Sequence, residues 1–220
     1  MEVFTELAAR PDAQLDTLAL ALAAEFRDVD TGRALATLDE LGAELADYAA
    51  RTARTVEEQA IACGDLLGGV HGFAGDQEEY DHPDNSMVDL VIERRTGLPI
   101  ALSVVYVEVA RRAGIPLAGI GLPGHFVVGH TGARPPLLLD PFAGGGLVPP
   151  PAGTPAELLR PWTPHETAMR MLNNLVNAFQ RRGALTDALR AADLRLALPA
   201  DEPTREALKV EKRALQARLN

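Results

Sequence analysis

Apolar residues follow a helical rhythm along most of this chain and break from it into β-compatible runs between Leu117 and Asp140. Before the break, Leu15, Leu18, Leu22 and Phe26 recur at three- and four-residue steps, and so do Leu35, Leu38, Leu41, Leu45 and Tyr48. Each set makes one apolar stripe of an amphipathic helix. Asp30-Thr31-Gly32 separates the two, and a third helix is expected from Val56 to Leu67, ended by Gly68-Gly69. The Gly-rich, polar stretch from Val70 to Asp84 reads as a loop. Ser86 with Asp89 fits a capping box for a helix through Met87, Leu90 and Val91. Pro99 suits the first turn of the next helix, which runs to Ala113 with Leu102, Val105, Tyr106 and Val109 on its buried side. Gly114 and Pro116 stop it.

Within the break, Leu117–Gly121, His125–Val128 and Leu137–Asp140 are short and β-compatible, with Gly129-His130-Thr131-Gly132 as the clearest turn. They predict a small antiparallel sheet. Gly144 to Pro164 is dense in Gly and Pro and reads as a surface crossing anchored by Trp162. Helical rhythm then returns, with Met171, Leu175 and Phe179 on one stripe and Ala188, Leu189, Ala192 and Leu196 on the next, on either side of Gly183. The expected fold class is therefore α+β. Its segments are a helical part over 1–69, a core over 70–150, a Pro/Gly-rich crossing over 151–165 and a helical tail over 166–220.

Composition narrows the function. An apolar fraction of 47% supports a packed core. A formal charge of −10 and a pI near 5.0 repel phosphate backbones, so nucleic acid is not an expected partner. The runs Arg94-Arg95, Arg111-Arg112 and Arg181-Arg182 fall near expected helix ends, where cations complement the dipole. Cys63 is the only cysteine, which excludes an intrachain disulfide and a four-cysteine zinc site. No apolar run approaches the ~20 residues of a membrane span. The first ten residues carry Glu2 and Glu6 and no basic cluster, so they do not read as a signal peptide, and the expected location is the cytoplasm.

The chemistry concentrates in Gly114-Ile115-Pro116, Pro123-Gly124-His125-Phe126 and Asp140-Pro141-Phe142. With Gly72-Phe73, Gly75, Tyr80, Asn85-Ser86 and Gly97-Leu98-Pro99-Ile100, these motifs resemble the SirB-type branch of the transglutaminase-like proteins. The helix–turn–helix before Leu198-Pro199 is similar to one tetratricopeptide unit, also a feature of that branch; a single unit must dock to bury its face. The resemblance implies a central helix with a nucleophilic Cys at its start, then a strand with a catalytic His and an antiparallel strand with an Asp. In such a site the helix dipole favours thiolate, the His moves the proton and the carboxylate orients the imidazole.

His125 and Asp140 match that pair, but the Cys position falls at about Pro99, which has no nucleophile. Cys63 lies in a different helix with no basic residue within five positions, and reads as a small buried apolar residue. Ser103 stands one turn beyond Pro99, a weak nucleophile candidate beside the plain reading of a satisfied helix hydroxyl. Tyr80, Asn85, Ser86, Pro99, Gly124 and Phe126 are the candidate cleft residues; Asn85-Ser86 also reads as a helix cap, and Tyr80 as a pin for the loop. His125 and Asp140 have structural readings too, as a half-buried sheet histidine and a turn cap. No His-x-x-x-His spacing, Walker loop or nucleophile elbow occurs, so no metal or cofactor is expected. Two functions remain. One is a non-catalytic protein that binds a peptide or protein partner; the other is a hydrolase or acyltransferase using His125–Asp140 with water or Ser103. The missing nucleophile favours the first.

Overall fold

The computed structural model describes residues 3–219; Met1 and Glu2, part of the leader argument, lie outside them, as does Asn220. The N-terminal stripes form α1 (Phe4–Ala8), α2 (Leu15–Ala24), α3 (Thr31–Thr52) and α4 (Val56–Gly64). Asp30 caps α3 by accepting from Arg33 N–H, and Thr55 with Glu58 forms a reciprocal capping box on α4. Leu18, Leu22, Leu38 and Leu45 are wholly buried, as the periodicity requires.

Gly68-Gly69 does not end this helical run. The chain continues as a π-helical turn over Asp65–Val70, and Gly72, at φ +72°, makes the exit. Gly64 and Gly68 serve packing instead. A Cβ on either would collide with the carbonyl oxygen of Gly145 or Gly144, so two backbones meet where no side chain fits.

The expected loop after Val70 contains β1 (Ala74–Gly75), which pairs in parallel with β2 (Thr96–Gly97). Between them lie the 3-10 turn Pro83–Ser86 and α5 (Val88–Arg94). Ser86 does not cap α5. Met87 is the N-cap residue and supplies no side-chain bond, because the Pro83–Ser86 turn has already drawn Ser86 into the interior.

The centre is α6 (Pro99–Arg112), with Pro99 in its first turn and Arg111 and Arg112 in its last. It packs against α2, α3, α5, β3 and β4, and is buried along nearly its whole length. The sheet runs β3 (Leu117–Leu122), β4 (His125–His130), β5 (Leu137–Asp140), β6 (Gly146–Val148), antiparallel throughout. The pairing of Leu122 with His125 leaves a Pro123-Gly124 turn, with Gly124 at φ +73°. Strand β6 lies at the start of what reads in sequence as a surface crossing. It is an edge strand of three residues, too short for periodicity to show.

The helical tail forms α7 (Pro164–Arg181), α8 (Leu185–Arg195) and α9 (Glu202–Ala217). Thr163 and Glu166 make a second capping box. α7 packs on α8 and also on α2 and α6, so one apolar cluster runs from Phe4 through α6 to Leu215. On the far face of the sheet a smaller cluster gathers Ile120, Leu122, Val127, Leu138 and Leu159. Trp162 anchors the crossing: its ring occupies the space a side chain on Gly121 would need, edge-on to Phe126 at 5.4 Å. The fold is α+β. No helix among the described residues is long and apolar enough to cross a membrane.

Candidate ligand-binding site at the helix–sheet junction

Antiparallel pairing of β4 with β5 brings the start of one strand beside the end of the other. His125 Nε2 and Asp140 Oδ2 are consequently 2.9 Å apart, and the imidazole donates to the carboxylate. Asp140 is held from behind, because its Oδ1 accepts from the backbone N–H groups of Phe142 (3.0 Å) and Ala143 (3.4 Å). Burial alone would raise the Asp140 carboxyl. The hydrogen bond and charge of His125, with those two N–H groups, outweigh it and hold the carboxyl below its ordinary value. The fixed carboxylate sets the ring orientation and leaves Nδ1 for another group.

Phe142 packs edge-on against both His125, at 6.4 Å, and Tyr80, at 5.7 Å. Gly75 makes this possible, since a Cβ there would enter the Phe142 ring. In front of His125 is a cavity of about 40 Å³ walled by Tyr80, Pro99, Ile100, Gly124, Phe126 and, from α7, Arg170 and Asn174. A water needs roughly 10–15 Å³ on this measure, so the space suits a group of about three heavy atoms, such as a carboxylate or carboxamide. Pro99 opens α6 at this wall, and the first N–H groups of a helix have no partner within it.

Tyr80, Pro99, Gly124 and Phe126 thus line the space beside His125. Asn85 and Ser86 do not. Asn85 Nδ2 donates to Asp76 Oδ2 (3.1 Å) and to the Glu79 carbonyl (2.8 Å), pinning the loop that carries Tyr80. Ser86 Oγ is buried without a partner among the described residues. Ser103 is 1% exposed, and its hydroxyl donates to the Pro99 carbonyl at 2.7 Å, so it takes the role of a bonded helix hydroxyl. Cys63 is wholly buried, and burial pushes its thiol up to about 12, which leaves no thiolate at neutral pH. Among the described residues no three His, Cys, Asp or Glu side chains gather to hold a metal ion.

Arg170 and Asn174 were absent from the sequence expectation. They stand one turn apart on α7, beside the buried stripe of Met171 and Leu175. Their only signal is that i, i+4 spacing, and nothing local says which element they face. Neither side chain makes a hydrogen bond or ion pair among the described residues, so both keep their donors for whatever enters the cavity.

A UPF0162 protein of Xylella fastidiosa is 38% identical over 150 residues, which are 60% of this chain and 53% of that protein. The chain therefore spans about half the length of that relative. A UPF0162 protein of Pseudomonas aeruginosa is 32% identical over 229 aligned positions, 92% of this chain and 79% of that protein. F-box only protein 21 of Mus musculus shares 39% identity over 56 residues, 26% of this chain and 9% of its own. No solved structure matches. The family described as the transglutaminase-like superfamily matches residues 32–173, which take in Tyr80, Pro99, His125, Asp140 and Arg170. With well over half of the chain inside that match, and the His–Asp pair assembled at the start of the central helix, the protein belongs to the transglutaminase-like superfamily.

Proposed function

We propose that this protein is a non-catalytic binding protein of the SirB-type branch, cytoplasmic, whose junction cavity takes a carboxylate or carboxamide carried by a peptide segment. The observation that carries the reading is Pro99. It occupies the start of α6 beside a His–Asp pair that is otherwise complete, where the superfamily's resemblance calls for a thiol. Covalent acyl transfer needs a nucleophile at that place. Ser103 has its proton on the Pro99 carbonyl, and Cys63 is sealed in the core, so neither substitutes. What remains is recognition chemistry: an oriented imidazole, a guanidinium, a carboxamide and helix N–H groups around a small polar space. On this reading the tetratricopeptide-like pair α7–α8 is an adaptor surface that also supplies Arg170 and Asn174 to the cavity.

The test is a thermal-shift series with small carboxylates and capped peptides on the native protein and His125→Ala, run beside a turnover assay with p-nitrophenyl acetate. Stabilisation of the native form that the variant lacks, with no turnover, is the expected result. His125-dependent hydrolysis would overturn the non-catalytic reading and make water the nucleophile.

A further inference from the structure

The last three helices enclose a second cavity, of about 610 Å³, between α7 and α9. It exists because α9 leans on α8, and Arg218 bridges to Gln180 at one end, 2.7 Å from its Oε1. Arg195, the last residue of α8, is part of the wall. The residue is only 4% exposed. Its Nη1 donates to Asn173 Oδ1 at 3.0 Å. Its Nη2 is 2.8 Å from Glu211 Oε2 but makes no aligned hydrogen bond, and its Nε has no acceptor among the described residues.

A buried charged donor left without an acceptor is a costly arrangement, and native proteins keep few of them. Nε and Nη2 form the edge of a guanidinium that receives a carboxylate through two parallel bonds. The surroundings fit such a group. Asn173 gives its oxygen to Arg195 and its amide N–H meets no acceptor among the described residues, and Asn177 stands one turn further along the same wall. Val176, Leu208 and Leu215 supply an apolar floor. The formal charge of this wall is small, because Glu211 offsets one of the two arginines, Arg195 and Arg218. That balance suits a monovalent carboxylate next to an apolar side chain and opposes a phosphate dianion.

We infer that this cavity binds a peptide carboxylate, with Arg195 as its anchor and Glu211 as the internal carboxylate that the ligand displaces from Nη2. The Glu211 side chain is 58% exposed, so it swings away without unfolding anything. The carboxylate comes either from a chain terminus or from an acidic side chain, and two probes separate these sources.

The experiment follows the Arg195 Nε–H resonance by NMR during titration with N-acetyl-leucine, N-acetyl-aspartyl-leucinamide and the neutral N-acetyl-leucinamide. A saturable shift with at least one acidic probe and none with the neutral one is expected, and the tighter acidic probe names the source. Glu211→Gln removes the competitor and should tighten binding by about threefold or more, whereas Arg195→Lys should weaken it by about tenfold, with folding checked by melting. His125→Ala should leave the response intact, which keeps this site's failure distinct from that of the junction. A signal unmoved by both acids, an equal response to the neutral probe, or an unchanged affinity in Glu211→Gln would each overturn the inference.

Discussion

The two ends of α6 use charge in opposite ways. At its C-terminal end Arg112 engages Glu108 (2.8 Å), Asp16 of α2 (2.8 Å) and Asp39 of α3 (2.6 Å), with Arg111 reaching Glu108 as well. Burial pushes the Glu108 carboxyl above its ordinary range; Asp16, also buried, is held below its own by the hydrogen bonds of Arg112 and Thr17. The network closes on itself and fastens three helices. At the N-terminal end His125 and Asp140 are joined, while Arg170 and Asn174 line the cavity with no hydrogen-bond or ion-pair partner among the described residues. A closed polar network holds a fold together; one left open facing a cavity has capacity for a ligand.

Breaking the closed end should have the largest effect. Arg112→Ala leaves the buried Asp16 and Glu108 with the half-exposed Arg111 as the cation they still share, and a loss of about 2–4 kcal/mol in urea unfolding is expected. A loss under about 1 kcal/mol would mean that the network contributes little and that the contrast between the ends is false. The middle of α6 comes next. Tyr106 lies beside the place where Gly68 approaches Gly144, so Gly68→Ala forces two backbones apart and should cost about 1–3 kcal/mol in thermal melts.

These cases also show what was legible before the structure. The loss of helical rhythm between Leu117 and Asp140 was enough for the sheet, because alternation and Gly/Pro punctuation are local signals. His125 and Asp140 were legible through the resemblance. Gly68-Gly69 is not the helix end that its pattern suggests, because a glycine that ends a helix and one that admits a neighbouring backbone look identical until Gly144 is placed beside Gly68. Ser86 carried a capping pattern that the Pro83–Ser86 turn overrode. Arg170 and Asn174 were invisible as site residues, since their role depends on where α7 docks, a tertiary fact with no local trace.

Acid separates the ends further. Asp140 is depressed in the folded state, so its contribution is fully present above the ordinary Asp value of about 3.9 and is lost as pH falls through the lower folded value. Asp140→Asn keeps an oxygen for Phe142 and Ala143 but removes the charge opposite His125. Unfolding measured from pH 6 downward should show the variant about 1 kcal/mol less stable near neutrality, with the gap closing below about pH 4. A gap that stays constant with pH would show that the carboxylate acts only as a turn cap.

The smallest effect on stability should come from the arginine of the open end, and it decides the comparison. Arg112 and Arg170 both emerge from helices that contact the core cluster, and Arg112→Ala and Arg170→Ala delete the same atoms. The first removes the cation that several carboxylates face. The second removes a guanidinium with no partner among the described residues, so nothing buried is left uncompensated and the stability change should stay within about 0.5 kcal/mol. If the open end exists to hold a carboxylate or carboxamide, Arg170→Ala should still abolish the stabilisation by small carboxylates that the native protein shows. Calorimetric titration with those carboxylates, beside a urea curve for each variant, reads both quantities. An Arg170→Ala protein that binds as the native one does would place the donors of α7 outside the site. One that loses several kcal/mol would make the N-terminal end of α6 a second structural clamp, and the asymmetry between the ends would disappear.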